Sequence, residues 1–313
     1  MKSDSNRAAD QGAIFNINEG AVFTGNGALM RFIVWPGAGC RMLGGHVALH
    51  PPGVEFRPHV HPISEDAIFA LKGHGDAFLV DKWIEVGPGD IIYAPAGVEH
   101  GTANLKERNS TFVAHGYAGP PQLELYEWAG YCKHGGFDSE AIRQGSSAPG
   151  CRDLRLDGEL QLGQIPNWGG ERAETKTAEQ IRKTGAIFNI NGGVAYRGFG
   201  PLTRFVLAPF TGSLLISVTV VIHEPGETFA PHSHYVSDDA TLIVKGRGQA
   251  YLGGSWSEVE SGDILYAPPL VDHGTRNPKA ASEPLVTVSF ACPPPFDLYS
   301  KAGILVNGRF VLD

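Results

Sequence analysis

The sequence is poor in charge. Asp, Glu, Lys and Arg make up 19% of its 313 residues, below the ~25% of an average soluble chain. No run of Lys or Arg appears and the net charge is −8. The basic footprint of a nucleic-acid-binding surface is therefore missing. No apolar stretch approaches the ~20 residues that a membrane-spanning helix needs. Residues Met1 to Gln11 are polar and lack the apolar segment of a secretion signal. Cysteine is scarce: Cys40, Cys132, Cys151 and Cys292 show no CxxC spacing. They read as free thiols in a reducing cytoplasm, and in effect as small apolar residues. These absences leave a small molecule as the expected partner of a cytoplasmic monomer or homo-oligomer, with neither nucleic acid nor membrane.

Glycine (41) and proline (22) are abundant instead, about a fifth of the chain against ~12% on average. A turn-rich, apolar, weakly charged sequence points to an all-β protein. It also repeats itself. Gly12-Ala-Ile-Phe-Asn-Ile-Asn18 recurs as Gly185-Ala-Ile-Phe-Asn-Ile-Asn191, an offset of 173. The same offset relates Arg31 to Arg204, His50 to His223, Gly73 to Gly246, Pro120-Pro121 to Pro293-Pro294 and Leu125-Tyr126 to Leu298-Tyr299. Residues 12–130 and 185–303 thus align without a gap, the size of a duplicated domain.

This organisation predicts a tail (1–12), a first domain (13–130), a linker (131–184) and a second domain (185–313) whose C-terminal run Ile304–Leu312 adds strands across or beside the junction. In the linker, Leu154, Leu156, Leu160 and Leu162 alternate around Asp157-Gly158, a hairpin signal, and residues 177–183 read as a short helix. Within the first copy, residues 44–50, 67–71, 76–80 and 90–94 are short, apolar and bounded by Gly, Pro or Asp, as strands of a sandwich or barrel are.

His59 and His61 stand two apart on a strand and so share a face. Asp66 opens the next apolar run, and the turn Pro95-Ala-Gly97 precedes His100. His232, His234, Asp239 and His273 follow 173 residues later. Such clusters favour transition metals, and Mn, Fe, Co, Ni, Cu and Zn all suit imidazole with carboxylate. Each copy resembles the cupins, whose motifs read G-x5-H-x-H-x3-4-E-x6-G and G-x5-P-x-G-x2-H-x3-N. The matching residues are Gly53, His59, His61, Asp66 and Gly73, then Gly89, Pro95, Gly97, His100 and Asn104. In the second copy they are Gly226, His232, His234, Asp239 and Gly246, then Gly262, Pro268, Leu270, His273 and Asn277. The resemblance implies two double-stranded β-helix (jelly-roll) barrels, packed like a dimer of single-domain cupins, with up to two divalent metals per chain.

The departures from the motif are informative. Asp replaces the usual Glu in both copies and is one methylene shorter. A second acid, Glu65 or Asp238, precedes it and points to the opposite face in a regular strand. Leu270 replaces a motif glycine, which implies an altered turn. His50 and His223 fit either ligand-orienting or purely structural roles. Counting back by twos from His59 puts Arg57 and Glu55 on its face, where Ala230 and Thr228 stand in the second copy. The pair is therefore a candidate catalytic and substrate-anchoring pair in the first barrel. Ile68, Ala70, Thr241 and Ile243 are expected to face inward. The functional expectation, from the frequency of activities among cupins, is a metal-dependent oxidoreductase of dioxygenase type on a small oxygenated molecule. A non-redox isomerase, lyase or hydrolase is the alternative, followed by a metal-containing binding or storage protein.

Overall fold

In the computed structural model, the motif that opens each repeat is a strand that leaves its own barrel. The structure describes residues 8, 10–105, 107–150, 153–156, 160–165 and 170–312. Ala13–Asn16 pairs antiparallel with Asp263–Ala267 of the second copy, and Ala186–Asn189 pairs with Asp90–Ala94 of the first. The repeated sequence now has a physical account. A Cβ on Gly12 would lie 2.5 Å from the Tyr266 carbonyl oxygen, and one on Gly185 would lie 2.3 Å from that of Tyr93. Asn16 Nδ2 donates to Asp263 Oδ1 at 2.9 Å, and Asn189 Nδ2 to Asp90 Oδ1 at 3.0 Å. Glycine permits the close approach and asparagine fixes the register.

Each barrel is a seven-stranded sheet facing a four-stranded one. In the first, the large sheet runs Ala186–Asn189, Asp90–Ala94, Glu65–Lys72, Phe112–Gly119, Gly44–His50, Ala28–Phe32 and Ala21–Gly25. The small sheet runs Glu55–His59, His100–Ala103, Gly75–Leu79 and Lys82–Val86. The second barrel repeats the order with the donated Ala13–Asn16 at its edge. Among the described residues no helix is long and apolar enough to cross a membrane.

Side chains alternate across the large sheets. Ala67, Phe69 and Leu71 belong to one apolar core shared with Ala240, Leu242 and Val244 of the other barrel. Ile68 and Ala70 face the interior of the first barrel, and Ile243 that of the second. The same period sorts the paired acids. Glu65 faces the junction, where its carboxylate accepts the backbone N–H groups of Leu214 (3.0 Å), Leu215 (2.8 Å) and Ile216 (3.2 Å). Asp238 accepts those of Arg41 (3.0 Å) and Met42 (2.7 Å), the residues equivalent to Leu214 and Leu215, and also the Tyr266 hydroxyl (2.9 Å). Asp66 and Asp239, one residue on, face the barrel interiors.

The linker is tied down by the motif asparagines. Asn18 accepts from Leu154 N at 2.8 Å, and Asn191 accepts from Gly163 N at 2.7 Å. Leu154, Leu156, Leu160 and Leu162 pack on the shared core, but the described residues there form no strand. The expected hairpin turn at Asp157-Gly158 lies outside the described residues, as does Cys151. The expected helix is present at Ala178–Thr184, capped by Thr177 and Gln180. A further helix, Ser139–Ser147, starts on Asp138.

The C-terminal run corrects an expectation. Leu305–Val306 and Arg309–Phe310 pair only with each other. They do not reach the junction, because Phe310 packs against Phe210, Phe296 and Tyr299 at the second barrel's own end. Cys132–Lys133 and Gly136–Phe137 form the equivalent hairpin on the first barrel, again 173 residues earlier. The turn at Leu270 is corrected as well. Its geometry is retained: Leu270 N donates to His234 O at 2.8 Å, as Gly97 N does to His61 O. The cost falls on the leucine backbone, held at φ 67°.

Two outcomes follow from this packing. Leu270 is 68% exposed, so Leu270→Gly forfeits little burial and relieves the left-handed strain; thermal unfolding is expected to show stabilisation of about 1 kcal/mol. Glu65→Ala leaves buried N–H groups unsatisfied at the junction and is expected to cost roughly 3 kcal/mol in chemical denaturation.

Candidate metal centres

Each barrel gathers three imidazoles at one point. His59 ends the first strand of the small sheet and pairs directly with His100 on its neighbour, while His61 follows in the loop. Ring centroids lie 4.7 Å (His59–His61), 4.6 Å (His59–His100) and 5.3 Å (His61–His100) apart. In the second barrel the distances are 4.9, 4.4 and 5.1 Å for His232–His234, His232–His273 and His234–His273. Each triad offers three ring nitrogens within 4.8 Å of one another.

The remaining nitrogen of every ring is held. His59 Nδ1 donates to Arg57 O (2.8 Å) and His100 Nδ1 to Val98 O (2.9 Å). His232 and His273 do the same to Ala230 O (3.1 Å) and Val271 O (3.0 Å). His61 Nδ1 meets Glu124 Oε1 at 2.9 Å, and His234 Nδ1 meets Asp297 Oδ2 at 3.1 Å. Tying Nδ1 fixes tautomer and ring angle and turns Nε2 inward, as imidazole ligands of metals require. Nε2 of His61 and of His273 is buried with no hydrogen-bond partner, an expense that a bound ion would remove. The donor set therefore fits one divalent transition metal per barrel.

Burial, with His100 beside it, pushes His59 down to about 4. Burial and neighbouring histidines push His232 and His273 down to about 3. These rings are neutral at physiological pH, as metal coordination through imidazole requires. His100 differs: burial lowers it, but Asp66 Oδ2 at 3.0 Å outweighs that and raises it.

Neither aspartate joins its triad as an equal. The 4.8 Å clusters comprise the histidines alone. Asp66 accepts from Gln122 and lies 3.9 Å from His61 Nε2. Asp239 also lies 3.9 Å from its histidine, His234. It accepts from Ser289 at 2.8 and 2.7 Å and from Thr241 at 2.8 Å.

The cavities over the triads are small, about 30 Å³ in the first barrel and about 40 Å³ in the second. That is room for two or three water-sized groups. Ile68 and Thr241 line them as expected. Glu55 and Arg57 do not: both are exposed, and Phe56 lies against the cavity instead. The reason is a bulge. The pairing shifts between His59↔His100 and Phe56↔Thr102, so counting by twos from His59 selects the wrong face. His50 bonds Thr102 Oγ1 at 3.0 Å, and His223 bonds Thr275 at 3.1 Å, so each braces the strand carrying the third histidine and touches no ligand. Arg31 Nε donates to Ile17 O at 3.1 Å, a structural contact.

The sequence reading missed Glu124 and Asp297, which steady His61 and His234. Their signal was the same 173 offset, a retained carboxylate just before Leu125-Tyr126 and Leu298-Tyr299. It also missed His46 and Gln122, which line the first cavity. Their equivalents in the second copy, Thr219 and Pro295, are unlike them.

Comparison with known proteins agrees with this architecture. The cupin domain model matches residues 45–115 and again 219–289. An uncharacterised protein of Methanocaldococcus jannaschii is 35% identical over 63 residues, 20% of this chain, which spans about half (49%) of that relative's length. Among solved structures, the Lactobacillus farciminis oxalate decarboxylase formate complex superposes with a TM-score of 0.58 at 16% identity, covering 90% of this chain and 86% of that one. Bacillus subtilis oxalate decarboxylase, in a structure concerned with its Mn(II) centres, gives 0.57 at 17%, with 90% and 77% covered. A putative glyoxylate-induced protein from Pseudomonas aeruginosa gives 0.57 at 13%, with 87% and 82% covered. Two complete cupin domains, in one chain and with exchanged edge strands, make this protein a bicupin of the cupin superfamily.

Proposed function

We propose that this bicupin is a metal-dependent enzyme, an oxidoreductase of dioxygenase type, acting on a small oxygenated organic molecule. The observation that carries the proposal is the six-histidine arrangement, in which every Nδ1 is tied outward and three ring nitrogens per barrel converge beneath a small cavity, with His100 Nε2 also bonded to Asp66. A divalent transition metal bound there would supply Lewis acidity and open positions for substrate oxygens and dioxygen. The chain's own contribution is orientation and exclusion of water. Met30, Phe56, Ile68 and Leu125 wall the first cavity, and Val221, Phe229, Leu265 and Leu298 the second. Such walls protect reactive intermediates. Asp66 is engaged by Gln122 and His100, and Asp239 by Ser289 and Thr241. Neither stands free as a general base, which favours chemistry that runs through the ion over proton abstraction by a side chain.

The likeness to oxalate decarboxylases favours a second reading, non-oxidative cleavage of a small carboxylic acid. Among the described residues, however, no Lys or Arg lines either cavity. A dianionic substrate would then rely on the ion alone for charge compensation, and a neutral or singly charged molecule fits better.

Elemental analysis of protein purified without added metal is expected to find close to two transition-metal ions per chain, and one each in His61→Ala and His234→Ala. Glu124→Ala is expected to weaken metal retention at the first site by about 10- to 100-fold, the usual cost of removing a ligand's hydrogen-bond partner. With a panel of small hydroxy acids, keto acids and diols, oxygen uptake should match substrate loss. Turnover without oxygen uptake would overturn the oxidative assignment in favour of the lyase reading. Metal-free protein that turns over normally would overturn both.

A further inference from the structure

The two barrels share a scaffold so closely that their differences at the cavity wall carry information. In the strand Gly44–His50 every residue is buried except His46, which is partly open and lines the first cavity with Met30, Phe56 and Asp66. Room for its ring comes from the neighbouring strand, where Gly116 pairs with His46. A Cβ on Gly116 would lie 3.0 Å from both Cε1 and Nε2 of His46. In the second copy both positions change together. Thr219 replaces the histidine and Ser289 replaces the glycine, and the Ser289 hydroxyl is spent on Asp239. Gln122, whose amide holds Asp66, is replaced by Pro295, which has no side-chain donor.

We propose that the two sites are chemically differentiated, and that His46 is a substrate-contacting residue of the first. Its ring would hydrogen-bond the outer oxygen of a small bidentate oxygen ligand, such as a 2-hydroxy acid, held at the ion. The proposal rests on the metal reading above and adds to it a choice of barrel and a substrate class. An imidazole offers both a donor and an acceptor where the second cavity has Thr219, beside the Thr241 and Ser289 hydroxyls that are bonded to its own carboxylate. Selectivity for a ligand with a polar outer edge follows, because a partner left unpaired in a closed cavity is costly.

The test uses single-site proteins loaded with cobalt(II), whose visible spectrum reports ligand exchange, and glycolate as the probe. His234→Ala retains the first site and His61→Ala the second. Glycolate is expected to bind about tenfold tighter to the first-site protein, the scale of one hydrogen bond. His46→Ala in the first-site protein should abolish that advantage with cobalt still near one per chain, a content that itself reports a folded barrel. His46→Gln, which retains a donor and an acceptor, should restore most of it. Equal affinities in the two single-site proteins, or unchanged affinity in His46→Ala, would overturn the differentiation alone. Failure of either single-site protein to hold cobalt would overturn the metal reading and this inference together.

Discussion

The structure depends on the face-to-face packing of two seven-stranded sheets, each completed by the other copy's first strand. Because a strand places successive side chains on opposite faces, that one contact decides what both faces do. Glu65, Ala67, Phe69 and Leu71 meet the partner barrel, and Asp66, Ile68 and Ala70 face the barrel interior. Two adjacent acids therefore serve two purposes. Glu65 anchors the junction by binding three backbone amides, while Asp66 reaches the histidines. The same division holds for Asp238 and Asp239. A slip of one residue would exchange the roles and leave a carboxylate against apolar core.

The fold and the convergence of the histidine triads were legible in the sequence because their signals are local. His-x-His needs only the period of a strand, and the third histidine needs only a turn and a repeat to vouch for it. The offset of 173 turned two weak clusters into one strong inference. Strand exchange was not legible. The segment Ala13–Asn16 reads the same whichever sheet edge it joins, since alternation records which face is buried and not which neighbour covers it. Glu124 and Asp297 lie about sixty residues beyond the histidines they steady, on a short helix, where no local spacing links them to the site. Glu55 and Arg57 show the opposite failure: a sound rule applied across a bulge that the sequence does not mark. The C-terminal hairpin was misplaced because its aromatic Phe310 has a home on the second barrel's own end.

Duplication explains why the differences between copies are informative. Packing, junction anchors, imidazole tethers and the turn before the third histidine are all retained, the turn even where Leu270 must adopt a left-handed backbone. At the cavity wall the paired residues His46 and Gly116 correspond to the paired residues Thr219 and Ser289, a larger side chain opposite none in one copy and two small ones in the other. The two triads thus sit in one geometry beneath two different ceilings, imidazole and amide in one and hydroxyl in the other.

The central claim is that each barrel binds its ion through three Nε2 atoms. Anomalous diffraction from crystals of protein purified without added metal, collected on both sides of the absorption edge of the metal found, tests it most directly. The account predicts two peaks per chain, each about 2.1 Å from Nε2 of its three histidines. Peaks bound through Nδ1, or lying on Asp66 and Asp239 without the histidines, would contradict it.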